Sequence, residues 1–133
     1  MAYAKRHISG LDVMVDEDTG AILVGDSDSR LAGFQSAVVD VDAGGAQAVI
    51  PAPGAGKAVW VYGYELHAGV TAGTFTLTSG ATALTGTCPV GVNGGVARDA
   101  EHPLYRCGDN QPLAIATVGC SLDGSVSYRI VTL

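Results

Sequence analysis

The densest run of aromatic and β-branched residues lies between Lys57 and His67 and predicts a β-strand. Because side chains in a strand alternate between two faces, this run places two sets of residues back to back. One face carries Trp60, Tyr62, Tyr64 and Leu66, and the other carries Val59, Val61 and Gly63. Both faces are apolar, whereas a strand with one solvated face would alternate apolar with polar residues. The pattern therefore predicts a central strand that is covered on both sides.

Two different covers are needed for such a strand. The opposing sheet of a β-sandwich is expected to cover one face. The other face must be covered by a neighbouring subunit or by the N-terminal part of the same chain. We therefore predict that Val59, Val61 and Gly63 form a subunit interface.

Further strands are predicted from Phe34 onward, separated by turns rich in Gly, Pro, Asn and Asp. In Thr74–Thr78 the alternation is strict, which directs Phe75 and Leu77 inward and the threonines outward. A hairpin turn is predicted at Ser121–Gly124. The other predicted strands are 34–41, 47–50, 82–84, 87–92, 96–98, 104–107, 113–118 and 126–133. Short strands joined by turns at such regular intervals indicate an all-β fold, an antiparallel β-sandwich of about eight strands over residues 34–133.

Residues 1–33 have a different pattern and are predicted to form an extended N-terminal arm. Two short apolar runs, 11–15 and 21–24, are separated by Asp-Glu-Asp-Thr-Gly, which favours a small hairpin. Two strands alone are marginally stable in water, so the arm is expected to become ordered by docking onto a partner. A flexible acidic tail is the alternative. The predicted contact residues are Tyr3, Lys5, Arg6, Leu11, Val13, Val15, Ile22 and Val24.

Composition favours an oligomer and argues against several classes of partner. Hydrophobic residues make up 47% of the 133 residues and charged residues only 15%. This composition is more apolar than is usual for a small monomeric protein. The net charge of −6 argues against nucleic-acid binding, which requires a basic surface. No apolar run is long enough to span a bilayer, and the N-terminal residues lack the apolar core of a signal peptide. We therefore expect no membrane partner and synthesis in a cytoplasm.

Charge is distributed unevenly along the chain. Residues 1–42 contain eight acidic and three basic residues, whereas the remaining 91 contain five acidic and four basic residues. The net charges of the two parts are therefore −5 and −1. The first third of the chain differs in kind from the rest, in agreement with a separate arm.

Reactive side chains form no recognisable catalytic or metal-binding pattern. Gly54-Ala-Gly-Lys57 lacks the first glycine and the final hydroxyl of a phosphate-binding loop, and it precedes a strand rather than a helix. Asp16–Gly20 departs from a calcium loop in the position of its glycine. Cys88, Cys107 and Cys120 are expected to be small buried side chains, although a bridge between Cys88 and Cys107 is possible. We expect no enzyme activity and no cofactor.

The order of strand and turn types resembles that of a known family. Lys57-Ala-Val-Trp-Val-Tyr-Gly-Tyr-Glu-Leu is followed by Thr74-Phe-Thr-Leu-Thr-Ser-Gly, Ala83-Leu-Thr-Gly and Asn93-Gly-Gly, and the chain closes with Leu113-Ala-Ile-Ala and Gly124-Ser-Val-Ser-Tyr. Residues 45–133 thereby resemble small virion proteins of tailed phages. The resemblance implies a jelly-roll domain and, as in several such proteins, a homotrimeric decoration (cement) protein or head fibre.

The resemblance also implies a location and a partner. A decoration protein stands on the outer capsid surface of the virion, binds the major capsid protein and stabilises the shell. In this interpretation residues 1–33 attach to the capsid and residues 34–133 form the exposed domain. The alternative is a receptor-binding or carbohydrate-binding module at the tip of a fibre, because a fold does not determine a function.

Overall fold

The computed structural model describes residues 33–133 in full and, before them, the backbone of three strands. These are β1 (Tyr3–Ile8), β2 (Leu11–Asp16) and β3 (Ile22–Leu23), which form an antiparallel sheet in the order β1-β2-β3. The predicted pairing of the two apolar runs is observed between β2 and β3, and β1 was not predicted. The chain divides into two compact units, residues 1–31 and 32–133.

The second unit is a sandwich of two antiparallel five-stranded sheets, as the sequence predicted. Its strands are β4 (Gln35–Val41), β5 (Gly45–Ile50), β6 (Lys57–Ala68), β7 (Gly73–Ser79), β8 (Thr82–Ala83), β9 (Cys88–Val90), β10 (Gly95–Asp99), β11 (Tyr105–Arg106), β12 (Leu113–Val118) and β13 (Leu122–Thr132). Within the described residues there is no helix of the length and apolarity needed to cross a membrane.

The strand order of the two sheets is that of a jelly roll. The first sheet has the order β10-β6-β13-β4, with β11 also beside β6. The second sheet has the order β5-β12-β7-β8, with β9 also beside β7. The long strands therefore alternate between the two sheets along the chain. Strands β4, β6, β10 and β13 belong to the first sheet, and β5, β7 and β12 belong to the second.

The two sheets pack on one hydrophobic core. Phe75 and Leu77 of β7 are almost completely buried in it, which confirms the predicted inward face of that strand. The three threonines of this strand, Thr74, Thr76 and Thr78, are half-buried on the other side of the sheet. The remaining core comes mainly from β-branched and leucine side chains of both sheets: Val39, Val41, Ile50, Val59, Val61, Leu66, Leu113, Ile115, Leu122 and Val126.

A β-bulge in β6 changes which side chains face the core. The register with β13 passes from Ser127 opposite Gly63 to Tyr128 opposite Val61, so Tyr62 is an extra residue in β6. An extra residue reverses the alternation of side chains on either side of it. The predicted division of this strand into two regular faces is therefore wrong, because Val59 and Val61 share the core with Tyr64 and Leu66.

The predicted hairpin turn at Ser121–Gly124 is also wrong. β13 begins at Leu122, whose side chain is fully buried in the core, and β12 and β13 belong to different sheets. Gly124 adopts φ +153° within β13, and a Cβ atom there would overlap the backbone of Glu65. Glycine therefore marks a close approach of β13 to β6 rather than a turn.

Candidate binding surfaces

The three residues predicted to form a subunit interface lie on different sides of the first sheet. Val59 and Val61 are fully buried in the core, where the second sheet of the same chain covers them. Gly63 lies on the opposite, outer face of the first sheet, between its cross-strand partners Asp99 and Ser127. Val59 and Val61 thus have no exposed surface with which to contact another subunit.

The outer face of the first sheet carries a cluster of rings and guanidinium groups, which we call the aromatic–arginine row. Its members are Phe34, Trp60, Tyr62, Arg106 and Arg129. The guanidinium of Arg106 lies 4.8 Å from the ring centre of Trp60, and that of Arg129 lies 4.2 Å from Phe34 and 5.7 Å from Tyr62. Trp60 is the cross-strand partner of both arginines, so the sheet register brings these groups together.

Phe34, Arg106 and Arg129 of this row cover the two aromatic rings on the outer face of β6. Phe34 packs edge-on against Tyr62 at a centroid distance of 5.0 Å, and Tyr62 is only 5% exposed. Contacts between a guanidinium and an aromatic ring contribute about 0.5–2 kcal/mol each. The cover of Tyr62 therefore includes Phe34 and Arg129 from the same unit of the chain, while Phe34 itself remains 61% exposed.

An uncharged apolar tip is formed at one end of the sandwich by Val70, Val92 and Val118, which are all largely exposed. The loops 69–72 and 91–94 are joined by a hydrogen bond that the Asn93 amide donates to the Gly69 carbonyl over 2.8 Å. A Cβ atom on Gly73 would overlap the Val118 carbonyl, so the chain around residue 118 lies against the same loops. These loops contain no charged residue.

A cavity of about 470 Å³, which we call the end cavity, lies near the chain segments that leave β7 and β11. One part of its wall is apolar, from Ala81 and Leu84. The polar part includes Thr82, Arg106 at the end of β11, and Asp109 and Gln111 from the segment between β11 and β12. Ser79 fixes these segments to each other, because its hydroxyl accepts a hydrogen bond from the Gly108 amide over 2.9 Å.

The glycine-rich loop 51–56 is tied to the same segment. The amide of Gly54 donates to Oδ1 of Asn110 over 2.9 Å, and the amide of Gly56 donates to Oδ1 of Asp109 over 2.8 Å. In a phosphate-binding loop such amides face the ligand instead. The loop thus supports the end cavity by holding Asp109 in place, and the amides of Gly54 and Gly56 already donate within the protein.

Metal-binding side chains are not clustered in residues 33–133. No group of three or more His, Cys, Asp or Glu side chains is close enough to hold a metal ion there. The imidazole of His67 lies 3.9 Å from the carboxylate of Glu65, and both side chains are more than half exposed. The sequence comparison of Asp16–Gly20 with a calcium loop is not tested by the structure. Only the backbone of Asp16 belongs to the described residues, and residues 17–20 lie outside them.

The residues predicted to contact a capsid all belong to the first 32 residues. Tyr3, Lys5 and Arg6 are in β1, Leu11, Val13 and Val15 are in β2, and Ile22 is in β3. Their side chains, and Val24 altogether, lie outside the described residues. Attachment through the arm therefore stays a prediction.

The three cysteine thiols are free, so the possible bridge between Cys88 and Cys107 is not formed. Cys107 and Cys120 are buried as expected, whereas Cys88 is half-buried. Burial raises the pKa of the Cys107 thiol, and a hydrogen bond with Ser79 opposes this effect. The protonated thiol is the unreactive form, so the fold protects Cys107 from modification.

We expect Ellman's reagent to react with Cys88 in the folded protein at mildly alkaline pH, and with Cys107 and Cys120 only after unfolding. The raised pKa of Cys107 means that the folded state retains its proton longer than the unfolded state. The stabilisation that the protonated Cys107 thiol gives to the folded state is therefore complete at pH values below the ordinary thiol pKa. It is lost as the pH rises through the raised pKa of the folded state. Rapid reaction of all three thiols in the folded protein would contradict this expectation.

Comparison with known proteins gave no match, because no family model, no curated protein and no solved structure is detectably similar to this chain.

Sequence analysis missed both the end cavity and the aromatic–arginine row. Thr82 and Gln111 are separated by 28 residues, and only the packing of β8 against the loop after β11 brings them to one cavity. Trp60 and Arg129 become neighbours because β6 and β13 pair in the first sheet. Neither arrangement follows from a local motif. The pairing of β6 with β13 follows from the jelly-roll strand order, which is a property of the whole domain.

Proposed function

We propose that this protein is a structural virion protein, a homotrimeric decoration protein that binds the outside of a phage capsid and stabilises the shell. The sandwich projects from the surface, and residues 1–33 bind the major capsid protein. The chain is synthesised in the cytoplasm of the host and incorporated into the virion. The proposal extends the sequence resemblance from fold to role.

The jelly-roll strand order is the observation that carries the proposal. This architecture is used repeatedly in viral capsid proteins, where a rigid sandwich presents loops at its two ends. In this chain it is preceded by a separate unit with its own three-stranded sheet. A rigid domain together with a distinct attachment segment suits a protein that coats a repeating surface. Because one fold can serve several functions, the proposed role requires a direct test.

The exposed apolar side chains support a multimer. Val38 is 81% exposed on β4, and Val70 is 84% exposed on the apolar tip. Phe34, Val92, Val118 and Leu133 are also more than half exposed. A soluble domain normally limits such surface, and contacts between copies are the usual way of burying it. A trimer also presents three arms to the shell, which increases the effective concentration of the second and third arms once the first is bound.

We expect the purified full chain to sediment as a trimer across the micromolar concentration range. The physical reason is the exposed apolar surface, which three copies can bury together. Sedimentation equilibrium measures the mass directly and independently of shape. A stable monomer of 13.4 kDa under these conditions would remove the trimer from the proposal.

A receptor-binding or carbohydrate-binding module is the second candidate. The observation that favours it is the end cavity, which combines apolar and hydrogen-bonding walls. A decoration protein is free to carry such a site as well, since the cavity lies in the sandwich and the proposed capsid contact lies in the arm.

A further inference from the structure

We propose that the end cavity binds one neutral sugar ring, such as a terminal pyranose of a surface glycan. The proposal concerns the sandwich alone and does not depend on attachment to a capsid. It rests on the size of the cavity, the division of its wall, the balance of its charges and the way its polar groups are held.

The cavity has the size and surface of a small-ligand site. Its volume of about 470 Å³ falls within the range of about 300–1,000 Å³ that is usual for such sites. Ala81 and Leu84 provide an apolar wall, and Thr82, Arg106, Asp109 and Gln111 provide a polar one. A pyranose has the same division, because its C–H groups form an apolar face and its hydroxyl groups surround the ring.

The charges in the cavity favour a neutral ligand. Arg106 and Asp109 contribute one charge of each sign, so the charges of the wall cancel and neither a cation nor an anion gains a net attraction. The net charge of −6 further disfavours anions. A ligand whose hydroxyl groups both donate and accept hydrogen bonds can pair with a guanidinium and a carboxylate at the same time.

Two of the polar groups are held in position by the fold. The guanidinium of Arg106 lies over the Trp60 ring, 4.8 Å from its centre, and this contact limits the positions that the guanidinium can take. Asp109 uses Oδ1 to accept from the Gly56 amide, and its carboxylate has a second oxygen with which to accept from a ligand. Side chains that are already fixed lose little entropy on binding, which favours recognition.

A third polar group, Gln111, packs against a glycine. Gly80 adopts φ +57°, and a Cβ atom at this position would overlap Oε1 of Gln111. Oε1 of Gln111 therefore lies directly against Gly80, next to the cavity. Its amide provides both donors and an acceptor, as hydroxyl recognition requires.

The test is a titration of the isotope-labelled full chain with glucose, galactose, mannose and N-acetylglucosamine, each followed by amide chemical shifts. We expect at least one sugar to produce saturable shifts that are confined to residues 79–84 and 106–111. The double variant Thr82→Ala/Gln111→Ala should weaken that binding by about tenfold, because it removes two groups that bond the ligand. Dispersed amide signals show in the same spectra that the variant is folded.

The matched control is Thr87→Ala/Gln47→Ala, which makes the same changes outside the cavity and should leave the affinity unchanged. The inference is overturned if none of the four sugars gives saturable shifts, or if the shifts map to another surface. It is equally overturned if the cavity variant binds as tightly as the unchanged chain. Failure of the sugar titration would leave the capsid proposal unaffected, and failure of capsid binding would leave the sugar proposal unaffected.

Discussion

A chain that begins at Phe34 is expected to fold into the same sandwich and to lose its binding to phage capsids. Residues 32–133 form a compact unit with one hydrophobic core, so removal of the arm takes away none of the described core residues. The arm, in contrast, supplies every contact that we propose with the major capsid protein. Because three arms bind together, their loss should lower the apparent affinity by about 100-fold or more.

The measurement is co-sedimentation of the purified chain with capsids that lack it, with circular dichroism as the check on folding. A full chain with Lys5→Glu and Arg6→Glu is the graded comparison. Exposed ion pairs contribute about 1 kcal/mol or less each, so this variant should bind more weakly than the full chain but more tightly than the shortened one. If the shortened chain binds capsids as tightly as the full one, the arm is not the attachment segment and the sandwich must make the contact.

Val61→Asp is expected to prevent folding of the sandwich. Val61 is fully buried between the two sheets, and nothing in the core cluster around it is charged. A carboxylate at this position would lose its hydration without gaining a partner, which costs several kcal/mol out of a typical total stability of about 5–15 kcal/mol. The variant should therefore lack the β-sheet signal in circular dichroism and should accumulate as insoluble protein.

Val38→Asp is the matched control, since Val38 is 81% exposed on β4 and the same change should leave the sheet signal intact. This pair of variants also separates the core from an interface. Had Val61 belonged to a subunit contact, its charged variant would be a folded monomer. Recovery of such a monomer would contradict the position of Val61 in the core.

The strands and one of their inward faces were predictable because their signals are local. Alternation in Thr74–Thr78 correctly identified Phe75 and Leu77 as core residues, and the glycine- and proline-rich turns separated most strands at the observed places. The sandwich itself followed from the number and spacing of these strands. These features depend on residues that are close in sequence, so a single chain contains enough information to predict them.

The faces of β6 were not predictable in the same way. The sequence Val61-Tyr-Gly-Tyr64 is compatible with regular alternation of side chains between the two faces and does not show a bulge. The bulge becomes visible only in the pairing of β6 with β13. When the bulge is not considered, the pattern indicates a second apolar face that must be covered by a neighbouring subunit or by the N-terminal arm. The structure instead covers Val59 and Val61 with the second sheet, and Tyr62 packs against Phe34 and Arg129.

The prediction of a turn at the start of β13 was wrong for a related reason. A glycine after Asp123 is typical of a turn, and the sequence does not show that β6 passes close to this position. Gly124 is required by that approach, which involves residues about 60 positions earlier. Long-range contacts of this kind also create the end cavity, and for that reason neither could be predicted from local pattern.

Electron microscopy of capsids prepared without this protein and then mixed with the purified full chain tests the central proposal most directly. We expect added density on the outer surface, in three-fold clusters that repeat at equivalent positions of the shell. We also expect these capsids to withstand heating better than bare ones. Capsids that remain bare at saturating protein, or protein that binds only at the tail or the end of a fibre, would contradict a role in capsid decoration.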